Sequence, residues 1–198
     1  MRKRFVVIGS GFGGLAVAVR LAARGYDVEL FEKCDRLGGR AGQFEINGFK
    51  FDAGPTAITV PFLFDEIWKT AGKNREDYFQ LVPVDPFFRA FDFQGRYIDF
   101  SDDQENLLSQ IEQRSPGDRQ GLEEYWRRSQ RIFDKGFNQL SGRPFLKRID
   151  MLMAAPDLLR LESYRSIYSY VSRLVKDDLL RRALTFHTLL AGGNPFDT

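Results

Sequence analysis

The sequence is poor in the side chains that build disulfides and metal clusters. One cysteine, Cys34, and one histidine, His187, are all it has. That excludes an intrachain disulfide and a cysteine-based zinc cluster, no metal site is expected, and the pattern agrees with a reducing compartment. Cys34 reads as a bystander. An excess of charge of one sign is missing too: 29 Lys plus Arg against 27 Asp plus Glu leave a net charge of +2, which gives no electrostatic case for nucleic acid as a partner. No apolar run approaches the roughly 18 to 20 residues needed to cross a bilayer. Met1-Arg2-Lys3-Arg4 and the apolar stretch after it have the outline of a secretory signal, but Gly9, Gly11, Gly13 and Gly14 break the apolar part and Arg20 and Arg24 charge its far end. A helix with a solvated face is expected there instead.

What is present suits a packed protein. Over 198 residues, 43% are hydrophobic, enough for one domain or for one and part of a second. Residues 5–8 form a β-branched and aromatic run without polar alternation, as a strand covered on both faces requires. Leu15, Ala18, Val19 and Ala22 then recur at helical steps, with Gly25 placed as a C-terminal cap, and a second strand is expected over 28–31. Asn47-Gly48 between two apolar runs predicts a hairpin that pairs Ile46 with Phe49 and Phe44 with Phe51, with that face buried. A second hairpin is expected about Gln94-Gly95, pairing Phe91 with Ile98. From about residue 106 the pattern turns helical. Leu161, Tyr164, Tyr168, Val171 and Val175 make one stripe, and Leu180, Ala183, Leu184, His187 and Leu190 another.

Chemistry concentrates near the start. Gly9-Ser10-Gly11-Phe12-Gly13-Gly14 satisfies G-x-G-x-x-G directly after a strand and at the opening of a helix. Gly9 permits the tight turn, Gly11 lets backbone N–H groups approach a pyrophosphate, and Gly14 allows the helix to pack closely on the strand. The helix N-terminus favours the anion. The hexapeptide alone is also compatible with a structural turn. Glu32 shifts the balance: it follows Gly9 by 23 positions, near the roughly 20-residue offset at which a carboxylate accepts from an adenosine ribose. A carboxylate there disfavours a 2′-phosphate.

The ordered run from this loop through Glu32 and Gly38-Gly39-Arg40 to Gly48-x-x-x-Asp52-x-Gly54 resembles the extended FAD signature of flavin amine oxidases and carotenoid desaturases. Arg40 offers a planar cation suited to a diphosphate, although a solvated arginine is its plain alternative. The resemblance implies FAD as cofactor, with Gly9, Ser10, Gly11, Gly13, Gly14, Glu32, Gly39 and Arg40 among its contacts and Gly54, Pro55 and Thr56 beside the isoalloxazine ring. Within that superfamily the chain is most similar to bacterial phytoene desaturases. The likeness includes residues 9–40, 49–56 and 144–156 and the closing Phe186-His187-Thr188-Leu189-Leu190-Ala191-Gly192-Gly193-Asn194-Pro195-Phe196.

That family implies an FAD-dependent desaturation of a phytoene-type polyene, in which hydride passes from a CH2–CH2 unit to flavin N5 and a proton leaves the neighbouring carbon. Nineteen Phe against nine Tyr plus Trp suit an apolar substrate, and equally suit a Phe-rich core. His187 lies on an apolar stripe and is expected to be a satisfied core or pocket-wall residue. Asp150 is a weak catalytic candidate, because relatives often read Asp-Met-Leu-Arg-Ala-Ala where this chain has Asp150-Met151-Leu152-Met153-Ala154-Ala155, without the arginine. Basic residues among apolar ones over 119–173 suggest a membrane surface as partner, or else a solvated face; a cytoplasmic protein peripheral to the inner face of the cell membrane is expected.

The expected architecture is α/β: an incomplete Rossmann-like FAD-binding βαβ unit, with an FAD-binding portion over 1–85, then an α+β substrate-domain segment of hairpins and helices over 86–198. The family's second flavin-contacting motif has no counterpart here, and two parallel strands leave open edges, so an N-terminal part of a longer protein is expected. The rival readings are a flavin amine oxidase relative acting on a polar amine and a non-catalytic FAD-binding fragment.

Overall fold

The computed structural model describes residues 3–54, 57–190 and 192–197. It divides into two compact units, Met1–Val82 and Pro83–Thr198.

The first unit opens with strand β1 (Arg4–Ile8), helix α1 (Phe12–Ala23) and strand β2 (Asp27–Phe31). The strands run parallel in the register Arg4↔Asp27 to Ile8↔Phe31, joined by the single helical crossover. α1 stops where the sequence says it should: Gly25 sits at φ +82, its N–H donates to the Ala22 carbonyl at 2.8 Å and that of Tyr26 to Leu21 at 3.3 Å, which satisfies carbonyls the helix end would otherwise strand. Strands β3 (Gln43–Ile46) and β4 (Phe49–Asp52) form the first hairpin. Asn47 (φ +52) and Gly48 (φ +81) supply its two left-handed positions, and the register is the expected one, Phe44 opposite Phe51 and Ile46 opposite Phe49. The expected burial is not found. Phe44 and Phe51 stack at 5.3 Å, yet both stay exposed, and Phe49 is 69% accessible, because the described residues of this unit leave that face largely uncovered. Helix α2 (Pro61–Thr70) then packs on α1 through Phe12 and Phe64, edge to face at 5.8 Å, and through Arg20 and Glu66 at 2.8 Å.

The second unit begins with β5 (Phe88–Phe91) and β6 (Tyr97–Phe100). Here the register differs from expectation by one: Phe91 faces Tyr97, and Ala90 faces Ile98. A two-residue Gln-Gly loop would pair Phe91 with Ile98. Instead the Asp92 carboxylate accepts from the N–H groups of Gln94 (3.0 Å) and Arg96 (2.9 Å), and Gly95 at φ +77 closes a three-residue loop. The remainder is helical: α3 (Gln104–Arg114), α4 (Arg119–Phe133), which continues into a π-helical turn (Asp134–Leu140), then α5 (Arg148–Arg160), α6 (Ile167–Ser172), α7 (Asp178–Thr185) and α8 (His187–Leu190). Both expected long stripes are interrupted. Glu162 takes φ +54 after α5, and Ser166 starts α6 by capping the N–H of Ser169. The other stripe breaks at Phe186, between α7 and α8.

The core of this unit joins Ile98, Leu107, Leu108, Ile111, Leu122, Val171, Val175, Leu180 and Leu184. Gly121 lets α4 meet the chain after α6: a Cβ there would lie 1.9 Å from the Leu174 carbonyl oxygen. Buried Asp118 accepts from the N–H groups of Lys176 and Asp177, both at 2.7 Å, and from the Ser115 hydroxyl at 2.9 Å, so its charge is fully hydrogen-bonded. No helix among the described residues is long and apolar enough to cross a membrane.

Candidate nucleotide site

The loop after β1 is held by main chain. The Gly9 N–H donates to the Phe31 carbonyl at 2.7 Å and that of Gly38 to the Ser10 carbonyl at 3.0 Å, and Gly11 forms a parallel bridge with Gly38. Three separated segments, 9–14, 31–34 and 38–42, are thereby drawn to the end of one βαβ unit. Gly14 is where α1 touches β1: a Cβ on it would lie 2.0 Å from the Gly9 carbonyl oxygen. A Cβ on Gly39 would come within 3.1 Å of Gly11 Cα, and one on Gly54 within 2.0 Å of the Arg40 carbonyl oxygen, so the 38–42 turn is pressed between the first loop and the end of β4.

Glu32 points at the glycine loop. One carboxylate oxygen accepts from the Ser10 N–H at 2.7 Å and from the Ser10 hydroxyl at 2.6 Å; the other accepts from the Cys34 N–H at 2.9 Å. The Ser10 hydroxyl, then the Cys34 amide, then the Ser10 amide favour the ionised form and hold the carboxyl at about 2, well below its ordinary 4.5. Ser10 is fully buried, so its hydroxyl has this one task. The resemblance placed Ser10 among the cofactor's contacts; its role as a clamp becomes legible once Glu32 is beside it. Cys34 contributes its backbone amide and leaves its side chain exposed.

These residues fit a dinucleotide. A Cβ on Gly11 or Gly13 would meet nothing within 4 Å, so the backbone there leaves room for a ligand to approach. No side chain caps that end and its first turn has no acidic residue, the arrangement in which helix amides and dipole attract phosphate. The Glu32 carboxylate accepts three bonds and keeps lone-pair capacity for a sugar hydroxyl. Arg40 is exposed and makes no ion pair with a described residue. Pro55 and Thr56 lie outside the described residues, while Gly54 packs on the backbone of Arg40.

Asp150 is engaged by main chain at the start of α5. Its carboxylate accepts from the N–H groups of Leu146 (3.0 Å) and Lys147 (2.8 Å), which caps the start of α5. His187 is exposed rather than in the core, with Nδ1 3.0 Å from the Leu184 carbonyl oxygen. Among the described residues no cluster of His, Cys, Asp and Glu could hold a metal ion.

Comparison with known proteins agrees with this geometry. Residues 7–71 match the family model of an NAD(P)-binding Rossmann-like domain. Beyond them, the chain is 46% identical over 196 residues to lycopene-forming phytoene desaturases of Pseudescherichia vulneris and Pantoea ananas, covering 99% of this chain and 40% of each relative. It is 38% identical to a neurosporene-forming phytoene desaturase of Rhodobacter capsulatus, covering 98% of this chain and 37% of that one. Among solved structures, putrescine oxidase is similar at 18% identity and a TM-score of 0.48, over 91% of this chain and 35% of that one, a likeness too slight to favour an amine substrate. The chain is thus similar along nearly its whole length to phytoene desaturases, opens with residues that match a Rossmann-like dinucleotide-binding domain, and spans about 40% of the length of the curated relatives it matches.

Proposed function

We propose that this chain is the cofactor-holding part, with a segment of the substrate-handling part, of an FAD-dependent oxidoreductase that desaturates a phytoene-type polyene in carotenoid biosynthesis. One observation carries the reading: identity of 46% extends over 99% of the chain, through both units, and is not confined to the nucleotide-binding residues that many oxidoreductases share. Ser10 and Cys34 fix Glu32 to accept from the adenosine ribose, the start of α1 with Gly11 and Gly13 takes the diphosphate, and Arg40 adds a planar cation. When bound, FAD supplies the two-electron acceptor for dehydrogenation. Relatives at 46% and 38% identity form different products, so the reading stops at the class of substrate.

A polyene of this kind resides in lipid, and we propose that the protein works peripherally on the membrane face. α5 supports this: Leu152, Met153 and Leu159 are exposed, flanked by Lys147, Arg148 and Arg160, apolar and basic side chains suited to an anionic interface.

The test is anaerobic titration of the full-length, FAD-loaded protein with phytoene in liposomes. Bleaching of the flavin with appearance of a longer polyene chromophore is expected. A flavin that binds and never bleaches would leave only the non-catalytic reading, and bleaching by a polar amine alone would favour the oxidase one.

A further inference from the structure

In the second unit, Glu124, Arg127, Arg128 and Arg131 share one face of α4. With Arg160, Leu161 and Glu162 at the end of α5 and Tyr170 of α6, they line a depression of about 250 Å³. Its charges do not balance. Glu124 already holds Arg127 and, at 2.5 Å, Arg128. Glu162 holds Arg165, Arg173 at 2.8 Å and, more distantly, Arg128 at 3.7 Å. The side chains of Arg131 and Arg160 make no ion pair or hydrogen bond among the described residues. Neighbouring acids are engaged elsewhere, Asp157 with Lys135 at 2.5 Å and Asp134 with Gln130 and Asn138.

Two features separate this from an ordinary solvated face. A basic residue in the last turn of a helix is commonly there to meet the dipole, which accounts for Arg160 at the end of α5. It does not account for Arg131, because the backbone continues past Phe133 into the π turn. Glu162, moreover, occupies a left-handed position where Gly or Asn is usual. The strained backbone is retained where the carboxylate orients three guanidiniums, and such strain collects at ligand sites. Arg128 is further steadied over the ring of buried Tyr170, 5.9 Å from its centroid.

We infer that this depression binds the phosphate end of a ligand, with Arg131 and Arg160 as the gripping cations and Arg127 and Arg128 as pre-oriented partners. Planar guanidiniums match phosphate oxygens two at a time. The volume lies below the roughly 300–1,000 Å³ of sites that enclose a drug-sized molecule, which suits a diphosphate or a phospholipid headgroup and not a whole dinucleotide. The inference stands independently of the desaturase reading.

The test uses the full-length, FAD-loaded protein and a double variant, Arg131→Gln with Arg160→Gln. Both side chains are exposed, so the fold is not at risk, and the two single variants give separate readings. A control, Arg24→Gln with Lys69→Gln, removes the same charge from the first unit. Inorganic pyrophosphate is followed by calorimetry. Vesicles of phosphatidylcholine, alone or mixed with phosphatidic acid, are followed by sedimentation. The double variant is expected to weaken binding about tenfold or more, with the control unchanged. Loss of pyrophosphate binding identifies a soluble phosphate ligand, and loss confined to phosphatidic acid vesicles identifies a headgroup. Absence of binding to both probes in the unaltered protein, or equal losses in double variant and control, would overturn the inference.

Discussion

Replacing Glu32 by Gln asks most directly whether the carboxylate beside the glycine loop holds the cofactor's sugar. The side chain keeps its shape but loses its charge. The Gln oxygen can take the place of the oxygen 2.7 and 2.6 Å from the Ser10 amide and hydroxyl, which then sets its NH2 against the Cys34 N–H, now 2.9 Å from an acceptor. One of three fixing bonds becomes a repulsion between donors, and the bond to the ribose is no longer charge-assisted. Charged hydrogen bonds of this kind correspond to about 10- to 100-fold in affinity, so the FAD dissociation constant of the full-length protein should rise by that factor. Ser10→Ala removes a single clamp and leaves the charge in place, so a smaller rise, below about tenfold, is expected. Flavin fluorescence on stepwise dilution measures both. An unchanged constant for Glu32→Gln would refute the ribose role, and a larger effect from Ser10→Ala than from Glu32→Gln would show that the loop, not the carboxylate, sets affinity.

Other consequences follow from the same geometry. Because the Glu32 carboxyl is held at about 2 in the fold against 4.5 ordinarily, its stabilising contribution is fully present above pH 4.5 and is lost as pH falls through about 2. Denaturant unfolding in that window should show a shallower loss for Glu32→Gln than for the unaltered protein, and parallel curves would count against the clamp. Gly14→Ala would press a Cβ to 2.0 Å from the Gly9 oxygen and should cost about 1–3 kcal/mol or more, whereas Gly13→Ala, with open space around it, should leave unfolding nearly unchanged; similar losses for both would contradict the close packing of α1 on β1. Asp118→Ala withdraws the acceptor from two backbone N–H groups and should cost about 1–3 kcal/mol, read from the unfolding midpoint, with a neutral result showing that water replaces it.

The legible parts of the sequence were those governed by neighbours along the chain. The βαβ unit, the position of Gly25 and the Asn47-Gly48 hairpin all follow from local conformational preference, and the glycine loop and Glu32 announced themselves by spacing. What remained hidden depended on side chains reaching back to the main chain. Asp92 converts a two-residue loop into three and shifts β5 against β6. Ser166 and the left-handed Glu162 divide what reads as one helix. Spacing likewise gave no sign that Asp150 serves α5 as a cap, since an acidic residue near a helix start suits capping and catalysis alike. The apolar faces of β3 and β4 show a further limit: alternation states which side is apolar but not what covers it.

Asp118 joins the chain before α4 to the chain after α6, bracketing everything between. Residues 141–147, irregular and exposed, lie inside that bracket. A protease that cuts there should yield two bands on a denaturing gel and yet a single particle in gel filtration, the severed halves staying clasped at their base.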